Sequence, residues 1–359
     1  MQPSKHCLKN RLTNFRSHFS KWKVEGFIIE DPVDLFYFTG IKLSRGRLLI
    51  GKGSAHFFVD GRYQEVAKGH SPYPVNQLNG EAIRKSLIEG TQALRYGCDT
   101  CMTVKALREL RPLFKGRTLK GIDAPTAPVR AIKGAEEIRA IRKSGALLWE
   151  GLNHVLKGLK RGTTERELSQ RFEFYVKSHG AERLSFDPIV AFGPHSALPH
   201  HHPSDRELKV GDPVLIDIGV VVDGYASDLT RTVFFGTPSE RLHKIYRLVL
   251  CAHQSALAAC LPGVKVSKLD ALARDAMGKE EKHFIHALGH GIGLEVHEYP
   301  RIGREGGNLT LEKGMVITIE PGIYIPKVGG VRHEDMVIIT DKGFENLFRM
   351  GIEPIRKTK

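Results

Sequence analysis

Pro213-Val-Leu-Ile-Asp217-Ile-Gly-Val-Val-Val222-Asp-Gly-Tyr-Ala-Ser-Asp228-Leu-Thr-Arg-Thr232 reads as two apolar strands joined by a two-residue turn. Asp223-Gly224 suits the tight turn of a hairpin, because both central positions of that turn need a positive φ. The turn sets the register. Gly219 falls opposite Asp228, and Asp217, two residues away, shares that face of the sheet. The two carboxylates are then diagonal neighbours, roughly 7–8 Å apart at the backbone. Two acids placed together in an apolar hairpin repel each other and lose hydration. A cation between them removes that cost. Taken alone, the segment also fits an exposed face on which Asp228 pairs with Arg231.

A second hairpin repeats the anomaly. Met315-Val-Ile-Thr-Ile-Glu320-Pro-Gly ends an apolar strand on a lone carboxylate, which the following proline holds extended. The return strand, Gly330-Val-Arg-His-Glu334-Asp-Met-Val-Ile-Ile-Thr340, places Arg332 and Glu334 on one face. His290 lies in Gly289-His-Gly-Ile-Gly293, where glycines permit close approach of the backbone to a centre. One imidazole and four carboxylates form an oxygen-rich donor set. It suits Mn²⁺, and also Fe²⁺, Co²⁺ or Zn²⁺, better than a thiolate site would. With bridging carboxylates it would hold two ions about 3.5–4 Å apart.

Both hairpins follow the same prelude. Gly158-Leu-Lys-Arg-Gly-Thr leads into a helix over 165–178, with Thr164 and Glu167 at capping-box spacing and Leu168, Phe172 and Tyr175 on one face. The His-rich Gly193-Pro-His-Ser-Ala-Leu-Pro-His200-His-His-Pro203 comes next. Pro262-Gly-Val-Lys-Val-Ser likewise leads into a helix over 268–277 and then His286-Ala-Leu-Gly-His290-Gly-Ile-Gly-Leu-Glu-Val-His297. Turn, helix, histidines and two strands thus occur twice, which predicts a pseudo-two-fold domain with a site between its halves.

Upstream, the spacing predicts strands at 24–30 and 47–50 and from His56, and helices over 81–94 and 103–114. Leu12, Phe15 and Phe19 mark the buried stripe of a first helix. Pro125 and Pro128 punctuate the chain before a helix from Ala135 that carries Ile138, Ile141, Leu147 and Leu148. This gives an α/β (α+β) chain with domains at 1–128 and 129–359. Of 359 residues, 41% are hydrophobic and 26% charged, ordinary for globular domains. No apolar run reaches the roughly 18 residues of a membrane span. The net charge of +14 comes from scattered basic residues without an arginine-rich tract, so no nucleic-acid partner is expected. The acid-free stretch 1–24 reads as the first helix rather than a transit peptide. The five cysteines are too few for a disulfide framework, and Cys98-Asp-Thr-Cys101 lacks the second pair of a zinc ribbon. A cytoplasmic location is expected.

Together these motifs resemble the pita-bread metallopeptidases, in particular the Xaa-Pro aminopeptidase and Xaa-Pro dipeptidase (prolidase) branch. The resemblance covers nearly the whole chain. It rests on Asp217-Ile-Gly, Gly224-Tyr-Ala-Ser-Asp228-Leu-Thr-Arg-Thr232, the His286–His297 run, Ile319-Glu320-Pro-Gly322 and Arg332-His-Glu334-Asp335. Phe36-Tyr-Phe-Thr-Gly40 and Val59-Asp-Gly-Arg-Tyr63 resemble the family's creatinase-type N-terminal domain. The resemblance implies that Asp217 binds one ion through both oxygens, that Asp228 and Glu334 bridge the pair, and that His290 and Glu320 complete the second ion. A hydroxide between the ions would attack the peptide bond before proline, with Glu320 as proton acceptor. His200, His297 and His286 would position substrate, and Arg332 would meet a substrate carboxylate. Activity on peptides with proline second is expected, as an aminopeptidase, with the dipeptidase as the alternative. Methionine aminopeptidase and a non-catalytic peptide-binding module are further alternatives, and a homodimer is implied. Three positions depart from the family pattern. Phe192 would narrow the pocket before the Gly193 turn, His333 replaces an aliphatic residue, and His201 and His202 crowd His200.

Overall fold

The computed structural model describes residues 3–348 and 355–356. The chain forms two compact units, Met1–Arg130 and Ala131–Lys359.

In the first unit, a six-stranded sheet runs in the order Val75–Gln77, Ala55–Val59, Gly46–Gly51, Gly26–Ile29, Arg95–Asp99, Thr118–Ile122. Its first helix, Lys5–Ser17, starts where the Ser4 hydroxyl accepts from the Cys7 amide. The apolar stripe is buried as its spacing requires: Leu12, Phe15 and Phe19 are all inside. The Phe15 ring packs against Phe19, Trp22, Phe27 and Phe38 at centroid distances of 5.1–5.8 Å. The helix expected over 81–94 is regular only for Gly80–Lys85. It widens into a π-turn at Ser86–Thr91 and ends at Gln92, whose φ of 52° no helix continues. The next helix, Val104–Leu110, tightens to 3₁₀ over Arg111–Phe114, where Pro112 lacks the amide an α-turn needs. Cys98 is buried and Cys101 exposed, both as free thiols.

The second unit shows the expected repeat. Helices Ala135–Lys157 and Glu165–Ser178 precede one hairpin, and Glu240–Ala258 and Val266–Met277 precede the other. Thr164 caps its helix by accepting from the Glu167 amide. The Glu167 carboxylate turns to Arg171 instead of closing a capping box. In the first hairpin Asp217 pairs with Thr230 and Ile218 with Leu229; beyond a gap, Val221 pairs with Ala226. This is the register the Asp223-Gly224 turn dictates, and both turn residues have positive φ (52° and 84°). The second hairpin has the same interrupted ladder, with Ile319 opposite Asp335, then a gap, then Gly322 opposite Arg332. Asp228, Glu320 and Glu334 stand in the gaps, where the backbone leaves the ladder and carboxylates can turn to a common point.

The helices Glu240–Ala258 and Val266–Met277 and the second hairpin enclose an apolar core that includes Leu242, Val249, Leu269, Ile317, Val331 and Val337. In the first unit Phe15 is the hub of the helix–sheet contact. Phe15→Ala is expected to destabilise that unit by about 3–5 kcal/mol, read as a shifted urea midpoint in the fluorescence of Trp22 against its ring.

Candidate active site

A cavity of about 700 Å³ opens within the second unit, and its lining includes Asp217, Asp228, His290, Glu320 and Glu334. The five expected metal positions therefore share one floor. The His290 Nε2 atom lies 3.4 Å from Glu320 Oε1 and 3.7 Å from Asp228 Oδ2. Ligand atoms of Asp228, His290 and Glu334 fall within 4.8 Å of one another.

Asp217, His290 and Glu334 are each held by a neighbouring group. His290 Nδ1 donates to the Gly291 carbonyl, which leaves the Nε2 lone pair facing the acids. The flanking glycines are required for a different close approach from the one expected. A Cβ at Gly289 would lie 2.0 Å from the Thr318 carbonyl oxygen, and one at Gly291 2.3 Å from that of Tyr299. The glycines let the His290 strand pack between its two neighbours. Thr230 Oγ donates to Glu334 Oε2 at 2.7 Å. Arg231 does not pair with Asp228. It donates to the Glu334 carbonyl and forms a 2.5 Å ion pair with Asp335, which removes the exposed-hairpin reading.

One oxygen from each of Asp217 (Oδ1), Asp228 (Oδ1) and Glu334 (Oε1) is buried and without a hydrogen bond. Burial and the charges of their acidic neighbours raise Asp228 and Glu320 well above the carboxylate range, and push Glu334 to about 8. Burial lowers His290 to about 3, so its imidazole is neutral. Orphaned carboxyl oxygens around a neutral imidazole lone pair fit a divalent cation, which would stabilise their ionised form.

The other expected site residues divide into two groups. His200 and His297 are exposed on the cavity wall. The His297 ring stands edge-on to His290 at 4.3 Å. His286 and Arg332 are instead tied into the framework. Arg332 is buried; it contacts Asp217 Oδ2 and donates to Thr230 Oγ and, at 2.7 Å, to the Tyr324 hydroxyl. Tyr324 passes a hydrogen bond on to His286 Nε2, while His286 Nδ1 donates to the Ala287 carbonyl. Oδ1 of Asp217 is uncommitted, and Oδ2 meets Arg332. Among the three adjacent histidines, His201 turns onto Glu165 at 2.8 Å. His200 lies close enough to His286 and His297 to help lower both. Phe192 does not narrow the cavity: it is fully buried, and Phe186 lines the wall instead. His333 is buried beside His253, with ring centroids 4.6 Å apart.

Sequence reasoning missed Thr230, Tyr324, Phe186, Arg301 and Glu165. Thr230 was within reach, since period-two alternation puts it on the face of Asp228. Phe186 and Arg301 lie in segments whose path only the tertiary fold defines.

Comparison with known proteins completes the assignment. Residues 139–341 match the model of metallopeptidase family M24, and residues 11–132 match the creatinase/prolidase N-terminal domain. The chain belongs to metallopeptidase family M24. It is 36% identical to an Xaa-Pro dipeptidase of Pyrococcus furiosus, over 95% of this chain and 98% of that one. The solved structure of an Xaa-Pro dipeptidase from Bacillus anthracis superposes with a TM-score of 0.93 at 31% identity, covering 98% and 99% of the two chains. An X-Pro aminopeptidase from Thermotoga maritima MSB8 gives 0.86 at 29% identity, covering 93% and 98%. M24 enzymes use divalent metals, and the carboxylate–imidazole floor is the candidate donor set in this chain. The order of the two Xaa-Pro readings is thereby reversed: the relatives favour the dipeptidase over the aminopeptidase.

The raised carboxylates link stability to pH. In metal-free protein Glu334 keeps its proton up to about 8, against 4.5 when unperturbed, and Asp228 and Glu320 shift the same way. The folded state then binds more protons than the unfolded chain, and stability falls as pH rises. His286 and His290, lowered from 6.5 to about 3, act oppositely but only below 6.5. Between about pH 6.5 and 8 the carboxylates act alone. EDTA-stripped protein is expected to lose melting temperature across that window, while metal-loaded protein holds it, as calorimetry at stepped pH would show. Asp228→Asn, which removes one of the competing carboxyl groups, is expected to melt no lower than stripped wild type and to lose stoichiometric metal.

Proposed function

We propose that the chain is an Xaa-Pro dipeptidase working at a centre of two divalent ions, Mn²⁺ by preference. The observation that carries the reading is the placement of the two guanidinium groups lining the cavity. Arg332 is buried and committed to Asp217, which disfavours it as the partner of a substrate carboxylate. Arg301 lines the same cavity with its side chain 68% exposed and only a loose 3.9 Å contact to the exposed Glu305. Such a surface pair contributes little, so Arg301 is available to a ligand. A guanidinium on the wall suits the free carboxylate of a dipeptide, which lies one residue from the scissile bond. A longer peptide would put an amide there.

Bound divalent ions would supply an activated water and polarise the scissile carbonyl. Asp217, Asp228, His290, Glu320 and Glu334 would hold them. Glu320, whose side chain is 18% exposed toward the cavity, is placed to take the proton of the attacking water at its carboxylate. The imidazoles of His200 and His297 face the space above the floor and would donate to the substrate's carbonyl. Phe186, Ile189 and Tyr299 supply apolar wall for the proline ring. Among the described residues no helix is long and apolar enough to cross a membrane. All five cysteines are free, which supports the cytoplasmic reading.

Hydrolysis of an Xaa-Pro dipeptide beside an Xaa-Pro-Xaa tripeptide, with Mn²⁺ and with chelator, tests the proposal. Chelator-sensitive cleavage of the dipeptide is expected; cleavage of the tripeptide alone would overturn it. Arg301→Ala is expected to lose a charge-assisted bond of about 1.5–3 kcal/mol. That loss would raise KM for the dipeptide roughly 10- to 100-fold while leaving an Xaa-Pro amide little changed.

A further inference from the structure

Glu165 is the first residue of the helix Glu165–Ser178, and its side chain is wholly buried. Burial alone would raise a carboxylate's pKa. Five donors oppose that: the Phe192 amide at 2.8 Å, His195 Nδ1 at 2.9 Å, His201 Nε2 at 2.8 Å, and the Ser204 amide and hydroxyl at 3.0 and 2.6 Å. With them Glu165 stays below its ordinary value and ionised, and the helix N-terminus favours the same charge. Every donor comes from residues 192–204, the segment that carries His200 on the cavity wall.

Glu165, His195 and His201 also have the composition of a metal site. The distances argue otherwise. Two ligands at roughly 2.0–2.1 Å from a tetrahedral ion lie roughly 3.3 Å apart, whereas these atoms sit at direct hydrogen-bond length. A carboxylate with about four lone-pair sites is already filled by five donors.

We propose that Glu165 is a positioning residue, whose buried carboxylate fixes the 192–204 segment and thereby sets His200 against the substrate. The link to His200 rests on the dipeptidase reading. The anchoring of the segment does not.

The test compares Glu165→Gln, His200→Ala and the double variant by kcat and KM on an Xaa-Pro dipeptide. Metal content and amide hydrogen exchange over 192–206 are measured alongside. A glutamine amide would turn two donors toward donors. Glu165→Gln is therefore expected to lower kcat/KM about 10- to 100-fold, with unchanged metal content and faster exchange in that segment. The double variant is expected to be no slower than His200→Ala alone, because both act through one imidazole. Losses that multiply, or wild-type exchange in Glu165→Gln, would overturn the proposal. Wild-type activity in His200→Ala would overturn the link to that residue, while exchange separately decides the anchoring. If Glu165→Gln fails to fold, Ser204→Ala removes the shortest donor, together with the acceptor of the Arg206 amide. The same pattern is expected there with a loss of about 2- to 10-fold, and wild-type kinetics and exchange would overturn the proposal.

Discussion

Four carboxylates brought to one buried floor repel each other, and most of the second unit's architecture can be read as the means of holding them there. In water such groups would separate. In the fold, two hairpins of apolar strands fix their backbones, and the interrupted ladders turn Asp228, Glu320 and Glu334 inward. Arg332 steadies Asp217, Thr230 steadies Glu334, and Arg231 grips the Glu334 carbonyl while paired with Asp335. None of these partners takes up the orphaned oxygens of Asp217, Asp228 and Glu334. The repulsion is left for a cation to relieve, so the metal-free fold carries a cost that metal binding offsets.

The same framework divides labour among the polar residues around the floor. His286, Tyr324 and Arg332 form one hydrogen-bonded chain that ends on the Asp217 carboxylate, so they shape the floor from behind. His200, His297 and Arg301 stand on the cavity wall with exposed polar ends. The first set orients groups that must not move. The second is available to a ligand that comes and goes. Glu165 belongs to neither, and acts on the second set from beneath.

Much of this was legible in the sequence because it follows local rules. Asp223-Gly224 dictated a hairpin register that the strands adopt, and the lone acids in apolar strands marked the floor before any coordinates did. The turn–helix–histidine–hairpin order announced the two related halves. What was not legible depended on contacts distant in sequence. Nothing near Arg332 shows that Asp217, over a hundred residues away, will claim it. The glycines around His290 were rightly seen as sites of close approach, but the approaching atoms are the Thr318 and Tyr299 carbonyls. Phe192 was expected at the pocket because it adjoins the Gly193 turn, whereas side-chain alternation in its strand sends it into the core. The Ser86–Thr91 segment keeps helical spacing while its hydrogen bonding shifts to the wider coil, a change the apolar pattern does not record.

The most direct test of the metal centre is calorimetric titration of the EDTA-stripped protein with Mn²⁺ near pH 7, repeated in two buffers of different ionisation enthalpy. Carboxylates with raised pKa values must surrender protons when a cation arrives. Stoichiometric binding with net proton release, lost in Glu334→Gln, is the expected result. Absence of stoichiometric binding, or binding at full strength in Glu334→Gln, would contradict the account.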